Sequence, residues 1–357
     1  MDWETELAHY KHIYLYGAGI IAYGIHRSLH VLFGVEIAAY IVTKIGAGQN
    51  HYVGATVISV DDLPESMSDS LILLATPPEY HEDILATIRA RTNCPVIVLD
   101  DWLQYDLRSR YFRSCHQFRL IEDLPKKRSM AKFAVYMAKS TNDKPMHNTY
   151  ELPNYIQEVR AGKALDKETV VRELWQDDSG ENISKLNREY SELTVTYWVW
   201  HNRIMEADYV GICHYRRVLA LTEQDCQAIA AAGTDAVLPL PYLCEGDAAF
   251  QYGRYVNEAE LSLLLDVMTD KERKAFEEAL ALPYIYNHNM LLARREIFAE
   301  YCNYVFGILQ RVKEAVKPNG WREHRRLGYL GELLTSAFFT ARESSLKLIH
   351  APDLWLV

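Results

Sequence analysis

The strongest constraint in this chain is a repeated exchange between short apolar runs and longer segments with helical spacing. Ile13-Tyr14-Leu15-Tyr16 ends in Gly17-Ala18-Gly19, and Ile21, Ile25 and Leu29 then recur four residues apart. That order spells strand, tight turn, helix. A second strand fits residues 35–42, with a short edge piece over 55–60. Leu71-Ile72-Leu73-Leu74-Ala75 is closed by Thr76-Pro77-Pro78, where a helix carrying Ile84, Leu85 and Ile88 begins, and Val96-Ile97-Val98-Leu99 forms a further strand. Apolar strands alternating with helices predict a parallel sheet covered on both faces. Residues 1–123 therefore read as a Rossmann-like domain. At 357 residues the chain is too long for one core of usual size and suits two.

A proline and three cations, Pro125-Lys126-Lys127-Arg128, interrupt the pattern and read as a linker over 124–130. The alternation restarts with Phe133-Ala134-Val135-Tyr136-Met137, and residues 131–357 form a second, larger α/β domain. A polar, proline-bearing segment over 140–155 reads as a mobile site loop. A helix is expected over 185–201, a buried strand at Tyr209-Val210-Gly211-Ile212-Cys213, and two long closing helices over 295–316 and 327–340. Thr222 with Asp225, and Asn257 with Glu260, have the spacing of helix-capping boxes.

Charge narrows the partners. Lys plus Arg number 38 against 48 Asp plus Glu, a net charge of −10, which repels phosphate backbones and argues against nucleic acid. The acidic start Met1-Asp2-Trp3-Glu4 is unlike a signal peptide, and no apolar run is long enough to span a bilayer. A cytoplasmic protein is expected, with a possible place at the inner face of the membrane. The six cysteines are scattered without a CxxC pair and read as buried thiols. No histidine or cysteine spacing suggests a zinc site.

The Gly17-x-Gly19-x-x-Ala22 turn sits where a nucleotide phosphate could meet a helix N-terminus, so Gly17 and Gly19 are the candidate nucleotide turn of the first domain. The acid that would hold a ribose about twenty residues later is missing.

Three polar groups interrupt the second domain. The first spans Asp177-Asp178-Ser179-Gly180-Glu181-Asn182-Ile183-Ser184 and reaches Asn187; it combines turn-forming residues with groups able to meet sugar hydroxyls. The second is His214-Tyr215-Arg216-Arg217, directly after a buried strand. Strand alternation puts His214 and Arg216 on one side, with Arg217 turned to the other. Guanidinium forks at the carboxyl end of a sheet strand suit a diphosphate. The third joins Asn289, beside an apolar strand, to Glu332, early in an apolar helix.

Taken together, Asp178-x-Gly180-x-Asn182-Ile183-Ser184-x-x-Asn187-x-x-Tyr190-x-Glu192, Asp208-Tyr209-Val210-Gly211-x-Cys213-His214-Tyr215-Arg216-Arg217, Asn289-Met290 and Gly328-Tyr329-Leu330-x-Glu332 resemble the DUF4422 family. The resemblance runs from about residue 132 to the C-terminus. It implies a GT-A-like fold and a glycosyltransferase of capsule or exopolysaccharide synthesis. The family's first strand usually ends in a histidine–lysine pair; here Met137-Ala138-Lys139 stands in its place.

The resulting expectation is transfer of a sugar from a nucleotide-diphosphate donor to a polysaccharide or lipid-linked glycan acceptor, in association with membrane-bound assembly proteins. Glu332 would be the acceptor base and His214 a second catalytic group. Asp178, Asn182, Asn187, Arg216, Arg217 and Asn289 would bind the donor. Such enzymes often use Mn or Mg on an Asp-x-Asp motif, which the chain lacks, so no metal ligand is assigned. The alternatives are a catalytically inactive nucleotide-sugar sensor or scaffold, and an NAD-dependent oxidoreductase built on Gly17 and Gly19.

Overall fold

A computed structural model describes residues 3–46, 51–140, 143, 151–166, 175–316 and 325–356. Most of the expected 140–155 loop lies outside this set. The chain divides into two units, one of residues 1–118 with 242–245 and 357, the other of 119–241 with 246–356. The division thus falls five residues before the sequence reading placed it. Ile121 and Leu124, on either side of that expected boundary, are buried in the core of the second unit.

In the first unit, strands β1 (His12–Tyr16), β2 (Ile37–Val42), β3 (His51–Tyr52), β4 (Ala55–Ser59), β5 (Ser70–Leu74) and β6 (Val96–Val98) form one sheet in the order β3-β4-β2-β1-β5-β6. All its pairings are parallel except β3 with β4. The segment expected at the edge, β4, is internal, because the β3 hairpin covers it. Helices α1 (Trp3–Ala8), α2 (Ile20–Phe33), α3 (His81–Arg89) and α4 (Asp101–His116) complete the unit. Ile25, Leu29, Leu15 and Leu73 meet in one buried cluster, and Ile41, Ile72, Leu74 and Ile88 in another. Two apolar clusters are what a sheet buried on both faces requires. Gly17, at φ 119°, turns β1 into α2; a Cβ there would stand 2.7 Å from the Ala75 carbonyl oxygen.

The sheet of the second unit is mixed. Its strands are β7 (Phe133–Lys139), β8 (Ile156–Arg160), β9 (Trp175–Gln176), β10 (Tyr209–His214), β11 (Arg217–Leu219), β12 (Ala236–Pro239), β15 (Leu291–Arg294), β16 (Leu348–Ala351) and β17 (Asp353–Trp355), where β13 (Tyr242–Leu243) and β14 (Tyr284–Ile285) lie outside it. Seven of the nine follow the order β16-β12-β15-β10-β7-β8-β9, and β11 bridges β10 and β17. Strands β9, β8, β7 and β10 are mutually parallel, so their carboxyl ends share one edge. Gly211 admits the neighbouring backbone: a Cβ there would lie 2.8 Å from the Leu291 carbonyl.

Helices α5 (Asn187–Tyr190) and α6 (Leu193–Asn202) replace the single helix expected over 185–201. The break is Ser191, at φ 51°. Then come α7 (Glu223–Ala231), α8 (Ala248–Tyr252), α9 (Glu258–Asp266), α10 (Asp270–Leu280), α11 (Arg295–Ala315) and α12 (Arg326–Thr340). Both expected capping boxes form, at Thr222–Asp225 and Asn257–Glu260. Glu260 also makes a buried ion pair with Arg326, tying α9 to the first turn of α12. Five of the six cysteines are buried, Cys115 being exposed. Among the described residues no helix is long and apolar enough to cross a membrane.

One buried acid organises the approach to α6. Asp177, with no exposed surface, accepts from the Gly162 and Lys163 amides at 2.8 and 3.0 Å and from the Ser184 and Thr194 hydroxyls at 2.6 and 2.7 Å. Four donors on one carboxylate offset the cost of burying its charge. Asp177→Ala takes this acceptor from the Gly162 and Lys163 amides and the Ser184 hydroxyl, while Thr194 keeps the Ser191 carbonyl at 3.2 Å; it is expected to cost roughly 3 kcal/mol or more, since each orphaned buried donor carries a penalty of its own. Urea denaturation of the full chain measures it; a change within about 0.5 kcal/mol, the range of ordinary surface substitutions, would remove Asp177 from this role.

Candidate functional site

The carboxyl ends of β7, β8 and β10 open into a cleft of about 420 Å³, a size suited to a small-molecule ligand. Lys139, Arg188, Arg216, Arg217 and Arg325 line it, against two carboxylates, Asp143 and Glu192. Among the described residues, five cations against two anions, in a chain whose net charge is −10, is a local reversal of sign. Such a lining favours an anionic ligand.

Local structure explains the grouping. After His214 the strand does not continue: His214 and Arg217 face each other across the β10–β11 hairpin, with Tyr215 and Arg216 at its tip. The expected alternation, with Arg217 turned away from His214 and Arg216, is therefore replaced by a turn, and His214, Arg216 and Arg217 all line the cleft. Arg217 stacks on Trp355 at 3.6 Å and lies 3.3 Å from His288 Nδ1. His214 and Glu332 share one set of neighbours: the charges of Glu192, Arg217 and Arg325 and the backbone of His288. The cleft thus has two electrostatic groupings, because Asp143 senses Lys139 and Arg216 instead.

Burial pushes the His214 imidazole below its ordinary value, so it is neutral near pH 7 and offers an N–H or a lone pair rather than a charge. Its Nε2 is buried with no hydrogen-bond partner among the described residues. Glu332 moves the other way. Burial first, and the Glu192 charge second, raise it to about 8 against the pull of Arg217 and Arg325.

Glu192 is the site residue that the sequence reading left without a role. It begins the turn into α6 and lines the cleft. Asn289, only 1% exposed, donates from Nδ2 to Glu192 Oε1 at 2.8 Å and to the Gly328 carbonyl at 3.2 Å. Its Oδ1 accepts from the Thr335 hydroxyl at 2.9 Å, and Thr335 meets the Tyr301 hydroxyl at 2.9 Å. A hydrogen-bonded line therefore runs from α11 through α12 to Glu192. Gly331 lets α12 approach this closely: a Cβ there would stand 2.6 Å from Leu193 Cδ1. The only sequence signal for Glu192 is its place inside the Asn187–Glu192 motif.

Other expected residues serve the scaffold. Asn289 is enclosed, and its amide holds Glu192 rather than facing the cleft. Asn187 lines the cleft, but its Nδ2 donates to the Ser191 carbonyl and the Thr194 hydroxyl, at 2.8 and 3.0 Å. Asp178 and Asn182 are not among the lining residues. Asp178 is exposed, and Asn182 closes its own turn by donating to the Asp178 and Gly180 carbonyls at 3.1 and 2.9 Å. The buried acid of that segment is the neighbouring Asp177.

Backbone strain gathers at the same place. Seven non-glycine residues have positive φ among the described residues, and four of them are Ser191, His288, Asn289 and Arg325. Each costs on the order of 1 kcal/mol or more, and the surrounding structure must impose it. Arg325 is held by its amide on the Arg188 carbonyl at 2.7 Å.

In the first unit, Gly17 and Gly19 form the expected strand–turn–helix, and the Tyr52 hydroxyl donates to the Gly19 carbonyl at 3.2 Å. Where a ribose-binding acid would follow β2, Thr43 instead meets the Tyr16 hydroxyl at 2.9 Å. Tyr40 and Lys44 have the Tyr-x-x-x-Lys spacing of a hydride-transfer pair, but Tyr40 is fully buried with its hydroxyl on His26. No group of three or more His, Cys, Asp or Glu side chains able to hold a metal occurs among the described residues.

The raised Glu332 value carries a stability consequence. Above the ordinary glutamate range, near 4.3, the unfolded chain ionises at this position while the folded chain keeps its proton. Stability is lost as pH rises through that interval toward 8. Glu332→Gln removes the loss, so the variant should melt above the parent at pH 8 and the gap should close toward pH 5. Parallel melting curves at all pH values would contradict the raised value.

No curated protein matches this chain. A solved structure titled WbbM bifunctional glycosyltransferase, in its apo form, is similar, with a TM-score of 0.53 and 23% identity. The match covers 63% of this chain and 45% of that one, so the chain spans less than half of that neighbour's length. At this identity the likeness shows a glycosyltransferase-like mixed α/β fold. The profile of a domain of unknown function, DUF4422, matches residues 144–343, a stretch that holds Glu192, His214, Asn289 and Glu332. The chain belongs to the DUF4422 family.

Proposed function

We propose that the second unit is a glycosyltransferase that moves a sugar from a nucleotide-diphosphate donor to a glycan or lipid-linked acceptor. The observation that carries this reading is the cationic cleft, lined by Glu192, whose charge acts on the buried Glu332. Donor diphosphate needs its charge met, and more so as the bond to the sugar breaks. Arg216, Arg217 and Lys139 offer that charge. His214, being neutral, contributes a hydrogen bond from its unpartnered ring nitrogen. An acceptor hydroxyl must lose its proton, and Glu332 is the base we assign, with Glu192 beside it. The new bond joins the acceptor oxygen to the donor's anomeric carbon. The bond from that carbon to phosphate oxygen breaks, its electron pair leaving with the nucleoside diphosphate, and the acceptor proton ends on the carboxylate. Asp178 and Asn182 have no part in this scheme, and Asn187 and Asn289 act as positioning residues. No metal is assigned. A place in capsule or exopolysaccharide synthesis, through a GT-A-like domain at the inner face of the membrane, remains part of the proposal on the strength of the family.

A second reading, a nucleotide-sugar sensor without turnover, is favoured by one observation. Ala138 lines the cleft at the end of β7, where the family usually carries its histidine–lysine pair. Binding without hydrolysis or transfer of any nucleotide sugar would decide for the sensor.

Arg216→Ala is expected to weaken donor binding more than about tenfold, the scale of one charge-assisted contact. Isothermal titration with nucleotide sugars measures this, and unchanged affinity in a folded variant would take Arg216 out of the site. Glu332→Gln should keep donor affinity and abolish transfer. Because the base must be ionised, transfer in the parent should rise with pH toward a plateau above about 8. Glu192→Gln removes a charge that holds Glu332 up, so the residual activity should reach its plateau at lower pH. A pH profile that Glu192→Gln leaves in place would separate the two carboxylates.

A further inference from the structure

We propose that Tyr255 and Tyr329 form a stacking platform for a pyranose ring of the acceptor, at the carboxylate side of the cleft. Tyr329 and Glu332 are three residues apart on α12 and so are neighbours on its surface, and Arg325 caps the helix with its carbonyl accepting from the Tyr329 amide at 3.1 Å. Arg325 lines the cleft, and Glu332 senses both Arg325 and Glu192. Tyr329 is thus a neighbour of the assigned base on α12 and a partner of a cation that lines the cleft. Its ring carries the Arg325 guanidinium 6.0 Å from its centroid, and Tyr255 stacks on it at 5.9 Å with the planes 23° apart. Tyr255 remains 54% exposed. Trp175, another exposed ring of this unit, has Arg203 over its face at 3.5 Å, whereas Tyr255 stacks on a ring whose cation partner, Arg325, lines the cleft.

An aromatic face is electron-rich, and one face of a pyranose presents a row of weakly positive C–H bonds, so the two attract while the sugar hydroxyls stay at the rim. A nucleobase could use the same rings. The charge arrangement favours the acceptor, because Lys139 and Arg216 gather about Asp143 whereas the tyrosines adjoin Arg325 and Glu332. This assignment rests on the reading of Glu332 as the group that takes the acceptor's proton.

The test is saturation-transfer NMR on the full chain with methyl glycosides of glucose, galactose, mannose, rhamnose and N-acetylglucosamine, alongside thermal shifts with nucleoside diphosphates. At least one glycoside should receive saturation in the parent protein. Tyr255→Ala should weaken that signal about fivefold, the scale of one stacked ring. Tyr255→Phe should keep it, and nucleoside diphosphate shifts should be the same in all three proteins. Glycoside binding that ignores Tyr255→Ala, or no glycoside binding to the parent, overturns the platform. Loss of the nucleotide shift in Tyr255→Ala overturns it too, by making the rings a base-binding surface. A parent protein that binds no nucleoside diphosphate at all instead counts against the transferase reading itself.

Discussion

The Asn289 amide joins the core of the second unit to its cleft. It takes a hydrogen bond from Thr335 on one side and gives one to Glu192 on the other. The Glu192 carboxylate and the Gly328 carbonyl can only accept, and together they fix which end of the amide faces Glu192. The line behind it, through Thr335 to Tyr301, lies buried between the closing helices. Asp177 holds the other side of the same segment through Thr194, and Thr194 in turn receives Asn187. Glu192 is thus braced from both directions, which is what allows Ser191 to stay at a positive φ.

That brace has an electrostatic purpose. Two carboxylates near one another raise the cost of ionising both, and burial adds to it. Nearby arginines reduce the cost without cancelling it, which is why Glu332 stays raised beside Arg217 and Arg325. A cleft that only bound an anion would gain from cations alone. Keeping two acids next to them weakens anion binding and costs stability, a combination that is typical of sites that move protons.

Much of the scaffold was legible because it follows period and local chemistry. The strands at Ile13–Tyr16 and Tyr209–Cys213, the two capping boxes and the long closing helices all follow from residue spacing. What escaped was whatever depends on a neighbour distant in sequence. Ser191 breaks a continuous helical pattern because α12 and Asn187 hold it, and nothing in Glu189-Tyr190-Ser191-Glu192 announces that. Asp178 and Asp177 are indistinguishable in the sequence, yet one is exposed and the other is enclosed by four donors. His214, Arg216, Arg217 and Glu332 stood out because charged groups beside apolar runs demand an explanation. Asn289 stood out for the same reason, but its amide braces a carboxylate instead of facing the cleft.

The departure at Ala138 bears on this division of labour. A small side chain at the end of β7 leaves room in the cleft where a histidine would add a second imidazole near His214. With His214 held neutral by burial, the charge presented to a ligand comes from the guanidinium groups and Lys139. Glu332 is not among the residues that line the cleft, but it interacts with three that do, Glu192, Arg217 and Arg325, and its raised value brings it within reach of neutral pH. In the proposed scheme the groups that would meet the donor and the group that would take the acceptor's proton sit on different elements, the β10–β11 hairpin and the α12 helix.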